Sequence, residues 1–527
     1  MMKRIIGYAA IAAIACAMAS PAALAQKRGG ILQFALVAEP PNYDCHSQIS
    51  FAVVQPVAPH YSTLLKYDAK TYPEIVGDLA ENWTVAPDGM TYEFKLFSGV
   101  KFHDGSPLTS ADVKASYERI ANPPEGIVSA RKAIYNDLDT IETPNDTTII
   151  FHMKRPNASM LDNFASPYNC IYSAAKLKQN PRYPETEVMG TGAFVFVENV
   201  RGSHWVGKRF DGYFRSGRPY LDGFKAFFVK SNAVVSGMQG GQFDAEFRTL
   251  TPSQRDQLIS ADKDRWTVHE GPWVGQMSLV FNVTKKPFDD IRVRHALSMA
   301  IDRWGGSSAL RKITSVSGVG GTIRPGYKYA LSEDELIKLP GFGKDIEKSR
   351  AEAKRLLKEA GLANLKFKLL NRAVGDPFTP LGVYVVDQFR RIGVTAEHSQ
   401  VESKSYFAAL ANGEFEVAIF PPADAADDPN AQFTWVLSTK ASSINGSHHS
   451  DQKIDDLFAQ QSRELDPVKR KLLVNELDRY VIQQSYNVPI IWYHRIIVHH
   501  KKIKGWYMTP SHLLGQDLVD VWLDPDT

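Results

Sequence analysis

The chain has 527 residues, 44 % hydrophobic and 23 % charged, with a formal net charge of +3. Such a balance excludes a disordered or fibrous protein, and neither sign of charge forms a block that could track nucleic acid or an anionic bilayer. A chain this long exceeds one hydrophobic core, so two or three domains are expected.

Lys3 and Arg4 precede an apolar run from Ile5 to Ala19, and Ala23-Leu24-Ala25 offers a small-x-small cleavage pattern. Residues 1–25 therefore read as an export signal, with a mature chain from Gln26. Cys16 keeps a lipoprotein alternative open, although Ala13 stands where a lipobox usually carries leucine. No later segment reaches the roughly 18 apolar residues of a membrane span. Losing Lys3 and Arg4 lowers the formal charge by two, from +3 to +1. Cys45 and Cys170 remain; an oxidising compartment permits a bond between them, and two buried free thiols fit the sequence as well.

Gly30 to Ala38 reads as a first strand, stopped by Pro40 and Pro41. Tyr61 to Tyr67 reads as the end of a helix. Pro87-Asp88-Gly89 supplies a hairpin turn before the alternating strand TYEFKLF. Thr109 with Asp112 forms a helix-capping pair, and Val113, Tyr117 and Ile120 line one helical face. Farther on, Ser349 with Glu352 opens a helix closed by Gly361, whose stripe is Ala353, Leu356, Leu357 and Ala360. A strand (366–370), helix (378–392), strand (394–401), helix (406–411) and strand (415–420) then follow. This βαβαβ rhythm makes a mostly parallel sheet whose ligands bind beyond the carboxyl ends of the strands. Asp466 and Pro467 start a last long helix with Leu472, Leu473, Leu477 and Tyr480 on one face, and Val488 to Val498 returns as strand.

Three strand ends should face a ligand: Asn371 and Arg372, Glu402 and Ser403, and the turn Pro421 to Asp428. Arg372 presents a planar fork suited to a carboxylate or phosphate. Asp424, Asp427 and Asp428 beside Phe433 and Trp435 suit a ligand rich in donors, or a partner across a closing cleft; the bland alternative is an acidic turn capping the next helix. Trp435 could supply a stacking surface.

The order LAENW (79–83), PDG-x-TYEFKL (87–96), GVKFHDG-x-P-x-T-x-x-DV (99–113), MGTGAF (189–194), PFDDIRVR (287–294) and VPIIW (488–492) resembles the extracellular solute-binding proteins of family 5, the peptide and nickel type of ABC-importer binding protein. The resemblance implies an α/β, two-lobed periplasmic-binding-protein fold of type II, cluster C-like, with an extra subdomain in the first lobe. It divides the chain into lobe I (26–66, 190–282 and 490–527), the subdomain (67–189) and lobe II (283–489), with a hinge near 281–287 and 488–492. The implied function is capture of a short peptide or similar-sized polar solute, such as an opine-like or sugar-conjugated compound, in the periplasm, by a monomer that delivers it to an ABC permease in the inner membrane. Ile49, Ser50 and Phe51 correspond to a segment that lies against the ligand. In peptide-binding members an aspartate four residues before the loop proline holds the peptide's amino group; counting back from Pro429, that place is Ala425, with Asp424 one residue farther away.

An exported hydrolase is the first rival, but the sequence has no G-x-S-x-G, H-E-x-x-H or Cys-x-x-Cys. A nickel or haem carrier is the second, given His448, His449, His494, His499 and His500. Adjacent histidines on a strand point to opposite faces, so 499 and 500 do not readily share an ion. No cofactor, metal or nucleic acid is expected.

Overall fold

A computed structural model describes residues 26–48, 50–423, 425–442 and 444–527. The expected export signal, Ile49 and Asp424 lie outside these residues.

The first lobe is built on strand Ile31–Leu36, which pairs in parallel with Gly223–Phe228; His204–Arg209 and Phe194–Val200 extend the sheet antiparallel. Its core holds Phe34, Trp205 and Phe224. Between the first and second of these strands is inserted a four-stranded antiparallel sheet, 80–85, 91–96, 148–153 and 138–145, under helix Ser110–Ala121. This subdomain has its own core around Phe94, Tyr117, Phe151 and Phe164. Both local devices read from sequence are present: Gly89 turns the hairpin at φ +68°, and Thr109 and Asp112 form the capping box.

Tyr61 to Tyr67 departs from expectation. Helix Phe51–Val57 and a 3-10 turn, Ala58–His60, already end there, and Leu65–Tyr67 pairs with Ile75–Gly77 as strand. So short an apolar run carries no period that separates helix from strand. Cys45 and Cys170 are disulfide-bonded, their Cα atoms 6.2 Å apart, which ties the segment after the first strand to the end of the subdomain.

The second lobe carries a five-stranded sheet in the order 395–401, 366–372, 417–420, 266–281, 487–500. The first three strands are parallel, with crossover helices Phe378–Arg390 and Ser403–Asn412, and the last two run antiparallel. Leu369, Leu381, Phe389 and Ile419 fill the core. Helix Ile346–Glu359 begins before Ser349 because Asp345 caps it, accepting from the Lys348 N–H. In helix Pro467–Gln484 the buried face is Val474, Leu477 and Val481, while Leu472 is 65 % exposed. The 474, 477, 481 spacing is the one that meets Ile454 and Leu457.

The two long strands, Trp266–Phe281 and Asn487–His500, pass through both lobes. Trp266 and Val498 pack with Ala35 and Val234 of the first lobe; Met277, Leu279 and Ile490 pack in the second. Their ladder breaks between Pro272 and Gln276. This irregularity lies inside the strand. Proline cannot donate to a ladder and glycine adds no packing, so Gly271-Pro272 and Gly275 localise the break.

Candidate functional site

At this break Pro272 faces His494 and Gln276 faces Trp492, so Trp273, Val274 and Gly275 stand opposite Tyr493 alone. A bulge of this kind re-aims side chains. Trp273 turns onto the rings of Tyr493 (5.3 Å) and His512 (5.0 Å), and Phe51 packs on His512 at 4.9 Å. Neighbouring chain pins the bulge: Val274 N–H donates to the Pro510 carbonyl at 2.7 Å, and Gln276 N–H to that of Pro422 at 3.0 Å. A Cβ on Gly275 would lie 3.0 Å from the Tyr493 ring and 3.2 Å from the Ala423 Cβ. Glycine lets the acidic loop approach this closely. The outcome is an aromatic floor of residues from both ends of the chain, where the lobes meet.

The polar groups on this floor are mostly donors. Trp273 Nε1–H donates to His512 Nδ1 at 2.9 Å, which leaves the His512 proton on Nε2. Burial first, then the charges of Arg248 and Arg495, hold His512 well below its usual range, so it is neutral. Neither His512 Nε2 nor the Tyr493 hydroxyl has a hydrogen-bond partner among the described residues. Arg372, at the end of its strand, gives Nε and Nη2 to Ser403 Oγ at 3.2 and 2.9 Å and packs on Phe378 and Phe407. Its third nitrogen, Nη1, is left over. Asp376, the nearby carboxylate, is taken up by Thr314 and Ser315. Gln276 is buried with its Oε1 unpaired, beside a cavity of about 10 Å³ that it shares with Trp435 and Trp492. That volume suits one water.

Asp427 and Asp428 lie elsewhere. The Asp427 carboxylate forms a bidentate pair with Arg324, both contacts 2.7 Å, and accepts from the Tyr72 hydroxyl at 2.9 Å; the Asp427 N–H donates back to Tyr72 at 3.0 Å. Asp428 caps helix Pro429–Phe433 through Asn430 and Ala431 N–H, and accepts from Ser159 Oγ at 2.7 Å and from Arg470 at 3.4 Å. Arg470 also donates to the Ala158 carbonyl and Ser159 Oγ, and Asn430 Nδ2 to Asn157 Oδ1. Both carboxylates are buried, at 2 % and 5 % exposure. They join the second lobe to the subdomain, the partner across the cleft that was the expected alternative to a ligand, and their lone pairs are already used. Asp162 completes this seam, accepting from Tyr67 at 2.7 Å; burial, then the Asp428 charge, push its carboxyl up to about 6.

Among the other expected residues, Ser50 caps helix Phe51–Val57 through Ala52 N–H at 3.2 Å. Trp435 is half-buried on Phe420 at 5.5 Å. Ala425 packs in an apolar cluster with Phe51, Val54, Tyr168 and Leu513. The histidines disperse: His449 stacks on Tyr486, His494 meets Glu270 at 3.0 Å, and His499 meets His269 at 3.0 Å. Two hollows flank the floor. One of about 590 Å³ lies between the lobes, lined by Tyr72, Pro272, Arg324, Tyr327 and Met508. The other, about 680 Å³, is walled by the Lys66–Asp517 ion pair and Arg215, without second-lobe residues.

Sequence reading missed Trp273, Tyr493, His512, Gln276 and Arg248. The signal for the first was present, a Gly-Pro-Trp-Val-Gly run (271–275) inside an otherwise regular strand.

Residues 74–443 match the family model of bacterial extracellular solute-binding proteins, family 5. The glutathione-binding protein GsiB of Escherichia coli K12 is 26 % identical over 484 residues, covering 89 % of this chain and 90 % of the relative; GsiB of Salmonella typhimurium is 26 % identical over 495 residues, 91 % of each. Among solved structures, AgaA from A. tumefacien R10 in complex with agropinic acid superposes with a TM-score of 0.78 at 24 % identity, covering 94 % of this chain and 99 % of the other. DppA from Helicobacter pylori in complex with the peptide STSA gives 0.78 at 23 %, covering 94 % and 98 %.

Proposed function

We propose, because the chain belongs to family 5 of the bacterial extracellular solute-binding proteins, that it is the periplasmic substrate-binding component of an ABC importer. It captures a short peptide or a polar solute of similar size between its lobes and hands it to a membrane permease. Its work is binding without chemistry, in keeping with relatives that are named as binding proteins. The observation that carries the reading is the floor at the passage between lobes: four aromatic rings with donor groups that no described residue satisfies. Apolar walls with a few convergent polar groups are what a solute site requires.

On this reading Arg372 takes a carboxylate of the solute, and Phe51, Trp273 and Tyr493 supply its apolar contacts. Asp427 and Asp428 hold the subdomain against the second lobe once the cleft has closed, a rigid-body movement about the bulge. Ala425 offers no carboxylate for a peptide's amino group, which favours opine-like or sugar-conjugated solutes over ordinary peptides.

The test is a titration of protein stripped by unfolding and refolding. Glutathione, short peptides and the low-mass fraction of a periplasmic extract are each added while tryptophan fluorescence and the melting temperature are followed. A saturable signal from Trp273 and Trp435, with a rise in melting temperature, is expected for at least one of them. No response to any would overturn the reading.

A further inference from the structure

Among the described residues near the floor, Arg248 has a side chain that is not tied down. Its backbone is: the N–H groups of Arg248 and Thr249 donate to the Glu246 carboxylate at 2.9 and 2.8 Å, and the Arg248 carbonyl accepts from Arg495 Nε at 2.8 Å. The same buried Arg495 reaches the Thr509 carbonyl at 2.8 Å and that of Ser511 at 3.4 Å. One guanidinium thus holds Arg248 beside the loop that carries His512. Arg495 is two residues along the strand from Tyr493, so the two share a face. Phe247 is buried in the first-lobe core while Arg248 next to it is exposed, and the Arg248 guanidinium makes no hydrogen bond or ion pair with any described residue.

The second lobe brings the matching charge. The charges of Arg372 and of Arg248 both reach the Tyr493 hydroxyl, from opposite lobes. Of the acids nearby, Glu246 is held by two backbone N–H groups, and Asp376, whose charge also reaches Tyr493, by Thr314 and Ser315. At Ala425, where a peptide binder would place an acid for an ammonium group, the chain has a methyl group in an apolar cluster. The floor thus holds two cations, neither ion-paired with a carboxylate among the described residues, and further donors in Tyr493 and His512.

We infer that the cleft takes a solute with two anionic groups, one paired with Arg372 of the second lobe and the other with Arg248 of the first. The solute bridges the lobes by charge, and its second anion stands in place of the amino group of a zwitterionic peptide. Charge-assisted pairs at both ends orient the solute along the aromatic floor. This inference rests on the importer reading above.

The test uses the full mature protein isolated from the periplasm of its host. The solute released on denaturation is identified by accurate mass and by the number of acidic groups it titrates. It is then rebound by calorimetry to wild type and Arg248→Gln, beside glutathione, with two carboxylates, and its glycyl monoethyl ester, with one. Two acidic groups on the released solute, a 10- to 100-fold loss of its affinity in Arg248→Gln, and an unchanged melting temperature of the stripped variant are expected. Where glutathione binds, wild type prefers it to the ester and the variant loses that preference. A released solute with one acidic group or none, or an affinity within twofold of wild type in Arg248→Gln, overturns the inference and leaves the importer role intact. A protein that releases no solute and binds neither probe overturns the importer reading itself.

Discussion

Two clusters of charged and hydroxylic side chains lie where the lobes meet, and they differ in who satisfies them. In the seam of Tyr72, Ser159, Arg324, Asp427, Asp428 and Arg470, each charged group has a protein partner within 3.4 Å. On the floor of Trp273, Tyr493, His512, Arg248 and Arg372, the Tyr493 hydroxyl, His512 Nε2 and the Arg248 guanidinium have no acceptor among the described residues. Proximity to a cleft and an attractive residue type do not make a binding site. Saturated polar groups hold a structure together, and unsaturated ones at an aromatic surface between lobes are available to a solute.

The largest test of that contrast is Arg324→Ala. It leaves the Asp427 carboxylate buried without its guanidinium, a loss of about 3–5 kcal/mol, read by urea denaturation of the stripped protein. A loss under about 1 kcal/mol would move the pair to the weak, exposed class and erase the contrast. Arg372→Ala comes next and has the opposite profile: solute affinity falls about 10- to 100-fold, as for a lost charge-assisted hydrogen bond, while the stability of the empty protein barely changes. Tyr72→Phe removes two hydrogen bonds across the seam, about 2 kcal/mol at about 1 kcal/mol each. It should weaken every solute by the same factor, because it acts on closure rather than on recognition; a change in solute preference would contradict this role.

A further effect is a slope with pH. The folded-state pKa of Asp162, raised to about 6 by burial and then by the Asp428 charge, exceeds the unfolded value near 4. The protonated acid is the form the seam tolerates. Seam stability is therefore fully present below about pH 4 and declines as pH rises through about 6. Asp162→Asn, which cannot ionise, should flatten this slope in melting temperatures measured from pH 4 to 7, and an unchanged slope would assign it to another group.

Much of this architecture is carried by short-range patterns. The Pro87-Asp88-Gly89 hairpin, the Thr109–Asp112 capping box and the alternation of strands and helices from 366 to 420 each rest on residues a few positions apart. The seam does not: Asp427 finds Arg324 and Tyr72, and Asp428 finds Ser159, across separations of more than a hundred residues. No local pattern distinguishes an aspartate paired within the protein from one facing a solute. The floor was hidden for another reason. Its tryptophan sits in a bulge within a strand of 16 residues, and His512 joins it from a loop near the other end of the chain. Ala425 was legible in sequence as a departure, and its apolar neighbours give that departure a physical meaning.

The most direct test of the division between seam and floor is native mass spectrometry of wild type, Tyr72→Phe and Arg372→Ala, each isolated from the periplasm under identical conditions. The division predicts a small-solute adduct on wild type and on Tyr72→Phe, and its loss from Arg372→Ala. An adduct that survives Arg372→Ala but is lost from Tyr72→Phe would reverse the two roles and contradict the account.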